Sequence, residues 1–206
     1  MYYGERFNGF SHLIGAAAAL AGTLVLIIMA SLQGDPWKIV SFSIYGASLV
    51  ALYTFSTLYH SLQGEAKALF RKLDHLSIYL LIAGSYTPFV LVTLRDQLGW
   101  VVFGVVWLLA IIGIAYDLLR KNNGPRILPV IIYLVMGWLA LFLINPLIKT
   151  LPATAIVGLV TGGLFYTVGI IFYAFGKVVR HFHGIWHLCV LAGSVSHYVT
   201  ILKYVA

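Results

Sequence analysis

The sequence is poor in charge, in acids and in cysteine, and each shortage excludes something. Charged residues are 9% of 206 positions, whereas soluble globular domains carry about 25%. Apolar residues reach 61%, above the roughly 45–50% of such domains. Disorder is excluded as well, because disordered chains are polar and charge-rich. The single cysteine, Cys189, rules out a disulfide within the chain and any cysteine-rich zinc module. Acids number 6 against 13 lysines and arginines, a net charge of +7. In a soluble protein that excess would suggest nucleic acid. In a chain this apolar it orients helices in a bilayer, so no nucleic-acid partner is expected.

What is abundant is uninterrupted apolar sequence. Seven windows contain no charge: 7–34, 39–64, 75–94, 97–116, 127–148, 150–176 and 181–202. Each is long enough for a helix to cross a hydrocarbon core of about 30 Å, which takes roughly 20 residues. Continuous runs point to helices, because barrel strands would be about 10 residues long and alternating. The expected fold is an all-α integral membrane protein, a seven-transmembrane-helix bundle in one domain over 1–206. Its approximate spans are 9–32, 38–62, 74–94, 98–118, 127–147, 153–176 and 183–204. Turn signals fall between them at Gly34-Asp35-Pro36, at Asn122-Asn123-Gly124-Pro125 and at Leu151-Pro152. Asn145-Pro146 should end or kink the fifth span. The first span is too long an apolar run for a cleaved signal peptide, despite the small residues Ala16 to Ala19, and is read as retained.

Basic residues set the expected orientation. Nine lie on the side of the N-terminus: Arg6, Lys67, Arg71, Lys72, Arg120, Lys121, Arg126, Lys177 and Arg180. Four lie opposite: Lys38, Arg95, Lys149 and Lys203. The excess places the N-terminus in the cytoplasm and, after seven crossings, the C-terminus outside.

Ionisable groups inside a membrane are costly and are functional candidates by default. Here they cluster by depth. Glu5, Asn8 and His12 open the first span, Ser56 and His60 close the second, Asp74 opens the third, and His183 and His187 open the seventh. All four places are on the N-terminal side, a bias that independent anchoring residues would not show. His183 and His187 are four apart, so both imidazoles leave one helix face about 6 Å apart along its axis. Ser56 and His60 share that spacing. Three imidazoles and a water match a catalytic zinc site with one open position. Asp74 is then a candidate base or water-positioning group. Glu5, Asn8, His12 and Gly15 form one helical stripe that could line the same cavity. Each residue also has an ordinary reading. The histidines could be interfacial, Ser56 could bond its own helix carbonyl, Glu5 could be a first-turn acid, and Asp74 could be a helix cap. His75 and His181 read as interfacial or loop residues. His197 lies too far along its helix from His187 to share the site.

These motifs carry a resemblance. Glu5-x-x-Asn8-x-x-x-His12-x-x-Gly15, Ser56-x-x-x-His60, Asp74-His75-x-x-Ile78, Ala83-Gly84-Ser85-Tyr86-Thr87-Pro88 and His183-x-x-x-His187 occur in this order. The chain resembles the hemolysin III family, the bacterial branch of the progestin and adipoQ receptor family, from the first span to the seventh. The resemblance implies one zinc ion per chain with a bound water, held by His60, His183 and His187, with Ser56 and Asp74 beside it. It implies a multi-pass protein of the bacterial inner membrane. Relatives are linked to lipid amide hydrolysis, so the leading expectation is a zinc-dependent hydrolase of membrane lipid amides or esters, with Asp74 and Ser56 catalytic and a membrane lipid as substrate or ligand. The rival readings are a non-enzymatic sensor of membrane state with structural zinc, in which Asp74 could be a fourth ligand, and a pore-forming cytolysin. No soluble protein partner is evident, and an oligomer is left open.

Overall fold

A computed structural model describes residues 4–120, 124, 126–176 and 178–206. Of the positions read above, Lys121, Asn122, Asn123, Pro125 and Lys177 lie outside these. Among the described residues all regular structure is helical, and seven helical segments are long and apolar enough to cross a membrane. They are α1 (Arg6–Gln33), α2 (Pro36–Ser61), α3 (Gly64–Pro88) with its continuation to Thr93, α4 (Gln97–Leu119), the fifth span, α7 (Ala153–Phe175) and α8 (Phe182–Tyr204). The fifth span is itself composite. It consists of α5 (Ile127–Trp138), a tighter turn over Leu139–Leu143, and α6 (Ile144–Thr150).

Local chemistry explains the boundaries. α1 ends at Gly34, whose φ of 67° is left-handed and costs glycine little. Asp35 then caps α2, its side chain accepting from the backbone N–H of Trp37 at 2.9 Å and of Lys38 at 3.3 Å, with Pro36 in the first turn. Asp96 caps α4 through the N–H of Gly99 at 2.9 Å. Pro88 removes a helix donor in α3, and the helix widens immediately after it over Phe89–Thr93. In the fifth span the helix tightens one turn before Pro146, which itself sits inside α6.

Two details differ from the sequence reading. α3 begins at Gly64, so the charged stretch from Glu65 to Lys72 is already helical. Asp74 is therefore about three turns inside α3 and caps nothing. The expected break at Asn145-Pro146 appears one turn earlier, over Leu139–Leu143, because Pro146 lacks the N–H that would bond the carbonyl of Phe142.

The helices close into a ring. α1 packs on α2, α2 on α3, α3 on α5, α5 on α7, α7 on α8 and α8 on α1, while α4 stands against α3 and α5. Leu20, Leu24 and Ile28 of α1 and Leu108, Ile111 and Ile112 of α4 point outward. The interior instead collects Phe42, Tyr45, Tyr53 and Tyr79, all essentially buried. Close approach depends on small residues: a Cβ at Gly113 would overlap the Tyr79 ring, and one at Gly162 would overlap His197.

Candidate metal centre

The three histidines expected to act together do meet. The last turn of α2 presents His60, and the first two turns of α8 present His183 and His187. The Nε2 atoms of His187 and His183 are 3.1 Å apart, and those of His183 and His60 are 3.4 Å apart. Ligand atoms of all three rings lie within 4.8 Å of one another. Two imidazole nitrogens bound tetrahedrally at 2.0–2.1 Å would be about 3.3 Å apart. The spacing is compatible with one small cation between the rings, and each pair is also within hydrogen-bonding distance. His60 and His187 are buried and His183 is half-buried, so the group opens toward one side.

Glu5 supplies what the sequence reading did not assign. Its Oε2 is 2.6 Å from His60 Nδ1, and it accepts from Asn8 Nδ2 at 3.2 Å, while Oε1 accepts from Lys67 Nζ at 3.1 Å. The bond with His60 holds the Glu5 carboxyl below its ordinary value, against burial, which pushes it up. An ionised carboxylate can only accept, so His60 donates from Nδ1 and turns the Nε2 lone pair toward the other histidines. A carboxylate behind a ligating imidazole is the usual way to fix tautomer and ring orientation. Glu5 stands just before α1, and contact of α1 with both α2 and α8 is what brings it there.

The other predicted residues are near but separate in role. Asp74 is buried and lines both spaces described below, and it is not one of the mutually close ligand atoms. The Ser56 hydroxyl lies beside the Asp74 carboxyl and is buried, and among the described residues it has no hydrogen bond of ordinary geometry. His12 is 1% exposed and neither of its ring nitrogens has a hydrogen-bond partner among the described residues. Its ring lies over His187 at 3.7 Å between centroids and meets the edge of Tyr53 at 5.0 Å. The stripe of α1 therefore divides: Glu5 and Asn8 face one space and His12 the other, while Gly15 seats Tyr53. His75 borders the open space and its carbonyl accepts from Tyr133 at 3.0 Å. His197 bonds the Leu159 carbonyl of α7 at 3.1 Å.

Two spaces lie near the histidine group, and only the second is lined by it. One is an apolar cavity of about 250 Å³ between α3, the fifth span, α7 and α8, with Ile78, Leu81, Leu134, Leu143 and Ile170 in its walls. The other is a polar vestibule of about 1190 Å³ at the end of the bundle, bordered by His60 and His183. Asp74, Tyr173 and Trp186 belong to both walls.

Two buried networks had no sequence signature of comparable strength. Arg126 pairs with Asp117 and donates to Tyr133 at 3.1 Å, tying the end of α4 to α5. Opposite charges flanking one short loop were the available hint. Tyr53 donates to Ser194 at 2.7 Å, and Ser194 meets Tyr166 at 2.9 Å, tying α2, α8 and α7.

The class is thus an integral, multi-pass membrane protein of seven helices whose buried histidine group could hold a metal ion. A family model described as Haemolysin-III related matches residues 2–198, and the chain belongs to the hemolysin III family. It is similar to Hemolysin-3 of Bacillus cereus, 42% identical over 202 residues that cover 98% of this chain and 91% of that protein. It is 28% identical to human monocyte to macrophage differentiation factor over 212 residues, 98% of this chain and 84% of the other. Similarity extends to the adiponectin receptor protein of Drosophila melanogaster, 26% identical over 226 residues, 94% of this chain and 49% of the receptor.

Proposed function

We propose that this protein is a zinc-dependent hydrolase of membrane lipid amides or esters. One observation carries the reading: three imidazoles converge, two of them on the wall of the vestibule, and a buried carboxyl, Asp74, stands on the wall that the vestibule shares with an apolar cavity. His60, His183 and His187 would hold the ion, and Glu5 would keep His60 in its ligating tautomer. When bound, zinc supplies a Lewis acid and brings the pKa of a water to about 7. Asp74 would take the proton from an attacking water as an acyl carbonyl arrives from the apolar side. Ser56, with a hydroxyl to spare beside Asp74, would orient that carboxyl or the water. An acyl chain would occupy the apolar cavity.

Structural zinc in a non-enzymatic sensor would call for a fourth protein ligand. Asp74 was the candidate, and its position outside the close set supports an open coordination site instead. The name of the Bacillus cereus relative ascribes haemolysis to that protein. A conducting pore in a single copy of this chain would need polar residues along its length, and the walls of the inner cavity are predominantly aliphatic and aromatic. The basic excess at the N-terminal end supports a cytoplasmic N-terminus in a bacterial inner membrane.

Elemental mass spectrometry of the purified protein tests the reading, together with release of fatty acid from lipid amides and esters. About one zinc per chain is expected, lost in both His60→Ala and His187→Ala together with turnover. Turnover that survives the loss of metal would overturn it.

A further inference from the structure

The vestibule carries charge that the hydrolase reading leaves unused. Arg71, Lys72, Arg120, Arg126 and Arg180 border it, drawn from α3, the α4–α5 connection and the segment before α8. Three acids, Glu5, Asp74 and Asp117, border the same space. Glu5 is engaged by His60 and Lys67, and Asp117 by Arg126. A cavity with this balance attracts anions.

Orientation in the bilayer explains basic loops, but it does not explain their arrangement around one cavity. Nor does it explain Arg126. A topological charge needs only to stay in water, yet the Arg126 side chain is 19% exposed, and its Nε is buried without a partner among the described residues. Tyr133 and Asp117 hold the guanidinium on the vestibule wall, which Asp74 also lines.

From the shared wall of the two spaces we infer that the vestibule binds the anionic phosphate headgroup of a phospholipid, whose acyl chain enters the adjoining apolar cavity. Arginine suits this task because its fork matches phosphate oxygens. Asp74, Tyr173 and Trp186 would lie at the junction of headgroup and chain. The inference rests on the lipid-substrate reading for its acyl chain, but headgroup binding does not require hydrolysis.

The test is lipid retention by the detergent-purified full chain. Native mass spectrometry would compare phosphatidylglycerol with phosphatidylcholine, with intrinsic tryptophan fluorescence as a second readout. The expected result is a preference of at least about tenfold for phosphatidylglycerol, weakening as salt rises. Arg126→Gln should remove most of it. Because Arg126 is partly buried, the paired exposed substitutions Arg71→Gln and Arg180→Gln serve as a second variant, expected to reduce the preference while the melting temperature is unchanged. Glycerol 3-phosphate should fail to compete at equal concentration. If it competes equally, the ligand is a free phosphate and the lipid assignment is wrong. Equal retention of the two lipids, or a preference untouched in both variants, overturns the inference. His187→Ala should keep the preference, so loss of hydrolase activity and loss of headgroup binding are read separately.

Discussion

The second, third and seventh spans differ from the rest. In their most apolar windows 50%, 61% and 33% of residues are buried inside the bundle, against 17–22% in the other four spans. The same three have the lowest mean hydropathy of the seven. In a soluble protein the most buried helix is the most apolar; here the relation is inverted. A span facing lipid on most sides must be apolar, whereas a span surrounded by protein can carry polar groups that find partners there. Ser56, His60, Asp74, His183 and His187 all belong to these three spans. Spans five and six complete the walls of the apolar cavity, the fourth span reaches the vestibule through Asp117, and Glu5, just before α1, backs His60.

This contrast can be broken at several points. The largest effect is expected from His187→Ala, which should take metal content from about one per chain to near zero by elemental analysis. Asp117→Ala leaves the Arg126 guanidinium without its carboxylate and should cost about 2–4 kcal/mol, discounted for partial exposure, in thermal or denaturant unfolding in detergent. Glu5→Gln keeps the shape and removes the charge behind His60, so metal affinity should fall about 10–100-fold in a competition titration with a chelator. Ile111→Ala on the outer face of α4, where the side chain is 60% exposed, should stay within about 0.5 kcal/mol in the same unfolding assay. A large effect at Ile111 would mean that this face is covered by protein rather than lipid.

Much of the fold was legible because the bilayer imposes a length and a composition on each span. Seven charge-free windows became seven crossing helices. The equal depth of His60, His183 and His187 was legible, but α1 stands between α2 and α8 in the ring, so their convergence also needed α1 to pack on both. Less legible was anything fixed by packing. Asp74 lies well inside α3 because charged residues from Glu65 to Lys72 continue the helix beyond the apolar window. The bond between Glu5 and His60 joins residues 55 positions apart. No periodicity predicts it, because the first-turn stripe of α1 was compatible with several neighbours. His12 and Glu5 share that stripe and still face different spaces.

The sequence by itself determined that this chain crosses a membrane seven times as helices and gathers its polar residues at one depth, because burial in lipid is decided residue by residue. Only the tertiary structure decided which helix faces meet. It set the Nε2 atoms of His183 and His187 3.1 Å apart, placed a carboxylate behind His60, and left an apolar cavity and a basic vestibule sharing Asp74 on their wall. Those outcomes depend on side-chain shape and on small residues such as Gly113 and Gly162 that let helices approach. A hydropathy pattern holds no record of shape, and so could not specify them.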